Sequence, residues 1–224
     1  MDINLGLQLY SIRNETERDF FGALEGVARM GFTGVEFAGY GSIRAGEMRA
    51  KLDSLGLFTT SVHHGHDDLM KRLDEIIAYN RTLGNNNIVC AGSPFGDWET
   101  CGRVTTELRE ISRRLAAHGM KLYYHNHSHE FVKFEQDGGR YAYDVVMEGL
   151  GDVGVQLDIY WLYRAGVDAI EYLDKYKDRT GKVEIKKIVS HAQSLGVKQF
   201  ILEDESESDQ LGAVRLGRSN IMKL

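Results

Sequence analysis

The sequence predicts an α/β fold in which parallel strands close into a barrel wrapped by helices. Two observations carry this expectation. Short apolar strands alternate with amphipathic helices along the whole chain, an order that needs crossover connections and therefore parallel strands. Several strands also carry a polar face opposite the apolar one. Strands of an open doubly wound sheet are covered on both sides and read as near-continuous apolar runs instead. In a closed barrel the apolar face meets the helices, and functional residues collect at the C-terminal strand ends. The chain has 224 residues, within the roughly 200–250 that an α/β barrel uses as one domain. No linker divides it, so residues 1–224 are read as a single domain.

The elements follow in order. Residues 5–10 alternate, with leucines on one face and Gly6, Gln8 and Tyr10 on the other. Residues 18–30 place Phe20, Phe21, Leu24 and Val27 at helical spacing, with Gly31 at the end. In the strand 34–37, Val35 and Phe37 share a face and leave Glu36 on the other. A helix at 46–55 closes on Gly56, a strand follows at 57–64, and a long helix at 67–83 closes on Gly84. The fourth strand is 87–91 and the next helix 100–118. The fifth strand, 121–125, ends in the run Tyr124-His125-Asn126-His127-Ser128-His129-Glu130-Phe131. Strand alternation turns His125 and His127 to one side and Leu122 and Tyr124 to the other. Residues 135–140, with Asp137-Gly138-Gly139, form a hairpin or loop. A short helix at 143–150 leads to the sixth strand, 153–159, whose polar face carries Gly154, Gln156 and Asp158. Helices are expected at 168–176 and 182–195, a last strand at 199–204, and a final helix at 211–224.

Composition excludes several classes. Hydrophobic content of 42% and charged content of 27% are those of an ordinary soluble globular chain. The formal net charge of −6 argues against a nucleic-acid partner, which normally leaves a basic patch. No run approaches the ~20 apolar residues of a membrane span. The first residues enter a strand pattern without a basic segment, so no signal peptide is expected. Cys90 and Cys101 are not spaced as a CxxC pair; a reduced, cytoplasmic protein is the expectation.

The C-terminal strand ends bring together Tyr10, Glu36, His63 or His64, His125 with His127, Asp158 and Glu203. Alternation from Val62 favours His63 as the inward residue, and a bulge would exchange it with His64. Carboxylates gathered on one rim are costly to bury, and a divalent cation is the usual compensation. Oxygen and imidazole donors without thiolate suit Mn²⁺, Mg²⁺, Co²⁺ or Zn²⁺. Tyr160, Trp161 and Tyr163 either cap the barrel or form a stacking wall for a sugar ring. Cys90 reads as a small buried residue. The acidic run 203–207 reads as solvated loop apart from Glu203.

Four blocks in the right order resemble the sugar phosphate isomerase/epimerase family. They are Gly34-Val35-Glu36; Tyr124-His125-Asn126-His127 through Glu130-Phe131; Leu157-Asp158-Ile159-Tyr160-Trp161 with Gly166-Val167-Asp168; and Leu202-Glu203-Asp204-Glu205. The resemblance implies a TIM-type (β/α)8 barrel of the xylose-isomerase-like kind. It also implies a divalent metal at the mouth and a sugar, sugar phosphate or ketosugar substrate. By it, Asp158 and Glu203 match the acidic ligands of strands six and eight. The strand-five ligand is His125, standing where relatives carry Glu, or the nearby Glu130. Tyr10, His63, His64, Tyr160 and Trp161 are expected to meet the substrate. Glu36, Glu203 or a histidine, here His127, is expected to move the proton on the carbon beside a metal-polarised carbonyl.

One departure stands out. Relatives carry a seventh strand ending in His-x-Lys-Asp, whereas residues 176–182 run from one helix pattern into the next, and His191 sits within a helix pattern. The expectation is a barrel lacking its seventh strand and one metal ligand. The gap would be covered by pairing of the last strand with the sixth, or by a second copy of the chain. The activity expected is isomerase or epimerase; the alternative is a degenerate barrel that binds a sugar or partner without catalysis.

Overall fold

In a computed structural model describing residues 4–184, 192, 194–197, 199–205 and 208–222, eight parallel strands close into a barrel. The wall runs β1 (Asn4–Gln8), β2 (Gly34–Phe37), β3 (Phe58–His64), β4 (Asn87–Cys90), β5 (Lys121–His125), β8 (Gly154–Asp158), β9 (Thr180–Glu184) and β10 (Gln199–Leu202), and β10 pairs with β1. A two-stranded antiparallel hairpin, β6 (Lys133–Phe134) with β7 (Arg140–Tyr141), stands apart from the wall, at the place where the sequence predicts a hairpin or loop.

The predicted absence of a seventh strand is corrected by β9. Its residues pair with β8 as Val155↔Thr180, Gln156↔Lys182, Leu157↔Val183 and Asp158↔Glu184, and with β10 as Phe200↔Val183. The sixth and last strands therefore do not pair directly, and no second copy is needed to cover a gap. The segment Thr180-Gly181-Lys182-Val183-Glu184 has one large apolar residue, too little for a period-2 signal. Lys182 to Glu184 also continues into a helical stripe, which is why the pattern reads as helix. His191 and the rest of that predicted helix up to residue 191 lie outside the described residues.

The helices have the amphipathic pattern expected of a barrel jacket. Along α5 (Trp98–Ala116), Cys101, Val104, Leu108, Ile111 and Leu115 are buried at three- and four-residue intervals. Its first turn is capped by Asp97, which accepts a hydrogen bond from the Thr100 amide at 2.7 Å. α4 (His66–Leu83) ends on Gly84 at φ +78, the left-handed conformation that closes a helix. The predicted helix 18–30 is divided at the extended Asp19 into α1 (Arg13–Arg18) and α2 (Phe20–Arg29). The others are α3 (Ala45–Leu55), α6 (Ala142–Gly149), α7 (Ile159–Arg164), α8 (Ala169–Tyr176) and α9 (Gln210–Ile221). Among the described residues, no helix is long and apolar enough to cross a membrane.

Side chains fill the barrel interior in layers. Near the base, a Cβ on Gly6 would stand 2.9 Å from Thr60 Cγ2 and 3.1 Å from Ile201 Cδ1, so three strands converge there on a glycine. The next layer is polar and holds Gln8, Glu36, Ser61 and Gln156, all buried. The register shifts between Val35 and Glu36, which pair with Thr59 and Ser61. The extra residue in β3 resets its phase and brings Ser61 and His63 inward toward Glu36.

Candidate active site at the barrel mouth

The polar layer forms the floor of the site. One Glu36 oxygen accepts hydrogen bonds from Gln8 Nε2 and Gln156 Nε2, each at 3.0 Å, and lies 2.9 Å from His63 Nε2. The other oxygen accepts from the Ser61 hydroxyl. Four strands thus meet at one fully buried carboxylate, and His63 is the histidine of the pair that turns inward. His64 lies nearer the rim, its Nε2 3.5 Å from the Tyr40 hydroxyl.

Above the floor, His125, Asp158 and Glu203 place their donor atoms within 4.8 Å of one another. His125 ends β5, Asp158 ends β8, and Glu203 directly follows β10. His125 Nε2 is 4.0 Å from Asp158 Oδ2. That is beyond hydrogen-bond length and compatible with two donors sharing one ion. Asn126 fixes this geometry. Its amide Nδ2 donates to the Asp158 carbonyl at 3.2 Å, and its Oδ1 accepts from the Asp158 amide at 2.9 Å. Asp158 also caps α7, its Oδ1 accepting from the Trp161 amide at 2.9 Å. On the opposite side the Asp204 amide donates to Ser11 Oγ at 2.9 Å, which ties the Glu203 loop to the segment after β1.

Burial keeps His64, His125 and His127 neutral, the form that binds metal. Burial, with His63 and His127 close by, holds His125 well below the usual imidazole range. His64 and His127 are both pushed down to about 4, mainly by burial; His129 and His63 add to the shift of His127. Glu205 is shifted the other way, raised by burial and by the Asp158 charge. In the unfolded chain these histidines would titrate near 6.5, so between pH 6.5 and 4 the unfolded state binds more protons. Stability of the metal-free protein is therefore expected to be full above about pH 6.5 and to fall as the pH drops toward 4. Chemical denaturation at pH 7.5 and 4.5 reads this directly, and equal midpoints would contradict it.

A cavity of about 340 Å³ opens over this group, lined by Tyr10, His63, His64, His125, His127, Trp161, Glu203 and Glu205 among others. Two of the predicted site residues stand elsewhere. Tyr160 is exposed outside the cavity, edge-on to Trp161 and accepting from Arg164 at 3.2 Å. Glu130 does not join His125, Asp158 and Glu203 but groups with His127 and His129. The donors around it within one chain turn, the His127 amide and the Tyr124 hydroxyl, draw it under the loop. Glu36 contributes from beneath the cavity and does not line it. Glu205, read as solvated loop, is exposed in a loop and also lines the cavity, and sequence reasoning gave no role to Gln8 or Gln156. The inward phase of the two glutamines was the available signal.

A profile of the xylose isomerase-like TIM barrel family matches residues 24–212. None of the curated proteins matches this sequence. Among solved structures, a sugar phosphate isomerase/epimerase from Parabacteroides distasonis superposes with a TM-score of 0.87 at 22% identity, over 98% of each chain. A second protein of that description from the same organism gives 0.84 at 20% identity, over 96% of this chain and 92% of the other. The 3-keto-D-glucoside 4-epimerase YcjR from E. coli gives 0.70 at 15% identity, over the whole of both chains. At these identities the likeness establishes the fold.

Proposed function

Because the chain belongs to the xylose isomerase-like TIM barrel family, we propose that it is a metal-dependent isomerase or epimerase of a sugar, sugar phosphate or ketosugar. The observation that carries this reading is the convergence of His125, Asp158 and Glu203 at the C-terminal mouth, under a cavity walled by aromatic and imidazole rings. These three residues would hold the ion. Two carboxylates and a neutral imidazole suit Mn²⁺, Mg²⁺, Co²⁺ or Zn²⁺. A bound ion supplies Lewis acidity toward the carbonyl and neighbouring hydroxyl of the substrate.

The chain supplies the rest. Trp161 and Tyr10 give apolar faces on which a sugar ring or chain can lie. Glu203 would take a proton from the carbon beside the carbonyl. His127, neutral at pH 7 and on the cavity wall, is a second group able to accept or return it. Glu205, whose carboxyl is raised by burial and by the Asp158 charge, lines the same cavity. Glu36 acts as a positioning residue, since both its oxygens are engaged below the cavity. Two groups on opposite faces give epimerisation; one group returning the proton to the adjacent carbon gives isomerisation.

The alternative of a non-catalytic barrel drew its support from a missing strand, and β9 removes that support. The test is a panel of ketosugars incubated with metal-loaded protein in D₂O. Carbon-bound deuterium, lost in Glu203→Gln, is expected by NMR. Sugar binding without exchange across the panel would favour a binding protein.

A further inference from the structure

The loop after β5 carries a second group of donor side chains. His127, His129 and Glu130 also place donor atoms within 4.8 Å of one another. Glu130 is fully buried. Its Oε2 accepts from the His127 amide at 2.8 Å, and its Oε1 accepts from the Tyr124 hydroxyl at 3.2 Å. Among the described residues, no lysine or arginine pairs with it. Both imidazoles approach Oε1 without hydrogen bonding to it: His129 Nε2 stands at 3.5 Å and His127 Nδ1 at 3.9 Å. His127 Nδ1 is buried and has no hydrogen-bond partner.

These spacings decide between two explanations. Hydrogen bonds between such groups fall at about 2.7–3.2 Å. Two donors on one tetrahedral ion, each about 2.0–2.2 Å from it, stand roughly 3.4 Å apart. Both imidazole nitrogens therefore stand too far from Oε1 to bond it and close enough to share a cation with it, and one donor atom from each of the three residues lies within 4.8 Å of the others. A divalent ion would neutralise the buried carboxylate and give His127 Nδ1 a partner. We propose that His127, His129 and Glu130 form a second divalent-cation site, of Zn²⁺ type, separate from the group at the barrel mouth.

The site has an entrance. It borders a cavity of about 480 Å³ lined by Asp67, Gly92, Pro94 and both histidines, and the His129 side chain is half exposed. His127 lines this cavity and the mouth cavity alike. An ion on its Nδ1 fixes the ring and its tautomer, so occupancy here controls a wall of the mouth. The competing arrangement is a hydrogen bond from His129 Nε2 to the Ser93 carbonyl, which lies 3.3 Å away. That bond needs no metal.

Titration of the full chain with Co²⁺ separates the two. The mouth group is first disabled in a double variant, Asp158→Asn with Glu203→Gln. This protein is expected to bind one Co²⁺ per chain, with the strong visible absorption of a low-coordinate site. Adding His129→Ala, or the more conservative His129→Gln, is expected to weaken that binding at least ~10-fold, with an unchanged melting temperature in metal-free buffer. His129→Ala alone is expected to lose this ion. No Co²⁺ bound to the double variant, or binding unaltered by both His129 substitutions, would overturn the proposal. Neither result bears on the mouth ion, so this site fails or stands independently of the proposed isomerase or epimerase activity.

Discussion

In Asp158→Asn, affinity for the mouth ion is expected to fall at least ~100-fold and kcat/KM by on the order of 10³. The substitution is nearly isosteric. It removes the charge that faces His125 Nε2 and leaves an oxygen to cap α7 at the Trp161 amide. The backbone clamp from Asn126 uses the Asp158 amide and carbonyl, which the substitution does not touch. The fold should therefore survive, with a melting temperature within a few degrees of the parent in metal-free buffer. Loss of a ligand charge and loss of structure are thereby separated. Calorimetric titration with Mn²⁺ or Co²⁺ measures the first effect, and turnover of the best ketosugar measures the second. Unchanged metal affinity together with unchanged turnover would remove Asp158 from the site.

How far the sequence reveals this molecule depends on how strongly each segment alternates. β1, β2 and β8 carry clear two-residue periods, so Gln8, Glu36, Gln156 and Asp158 can be assigned to the inner face without coordinates. β9 cannot be assigned. With one large apolar residue in five, its identity as a strand is set by its neighbours β8 and β10 and by closure of the wall. Tertiary context there overrides a local pattern that favours helix. His63 and His64 pose a different difficulty. Alternation selects one of them only if the strand is regular, and the irregularity in β3 lies upstream, between the partners of Val35 and Glu36. Downstream of it the alternation from Val62 holds, and His63 turns inward. Glu130 shows the limit of reasoning from proximity in sequence. It sits five residues after His125, but the short helical turn His129–Phe131 carries it beneath the loop, and it joins a separate group. Glu205 was legible only as one of several acidic residues. Its distinction comes from lining the cavity within reach of the Asp158 charge, which no spacing in the chain records.

Replacing Glu36 is expected to destabilise the protein more than any other single change within the mouth and its floor. The side chain is fully buried and gathers Gln8, Gln156, Ser61 and His63 from three other strands. In Glu36→Ala, two amide donors and a hydroxyl lose their acceptor in a place closed to bulk water. Each orphaned buried group costs about 1–3 kcal/mol, with a further term for the space left behind. The sum is expected at about 3–5 kcal/mol, comparable with breaking a buried charged network by removing one partner. Glu36→Gln is the informative companion. It keeps the volume but brings an amide NH₂ among groups that donate to the carboxylate, so it should cost about 1–3 kcal/mol. Its second effect is on function. His63 loses the anion at 2.9 Å that holds its ring, and His63 packs on His125 with ring centroids 4.9 Å apart. Metal affinity at the mouth should therefore weaken by about 10–100-fold, the range for a group that orients a ligand without touching the ion. Urea unfolding of both variants, with metal titration of Glu36→Gln, tests the two effects separately. If Glu36→Ala unfolded at the parent midpoint, the carboxylate would not be the hub that joins these four strands. If Glu36→Gln bound metal as the parent does, its link through His63 to His125 would carry no weight in the site.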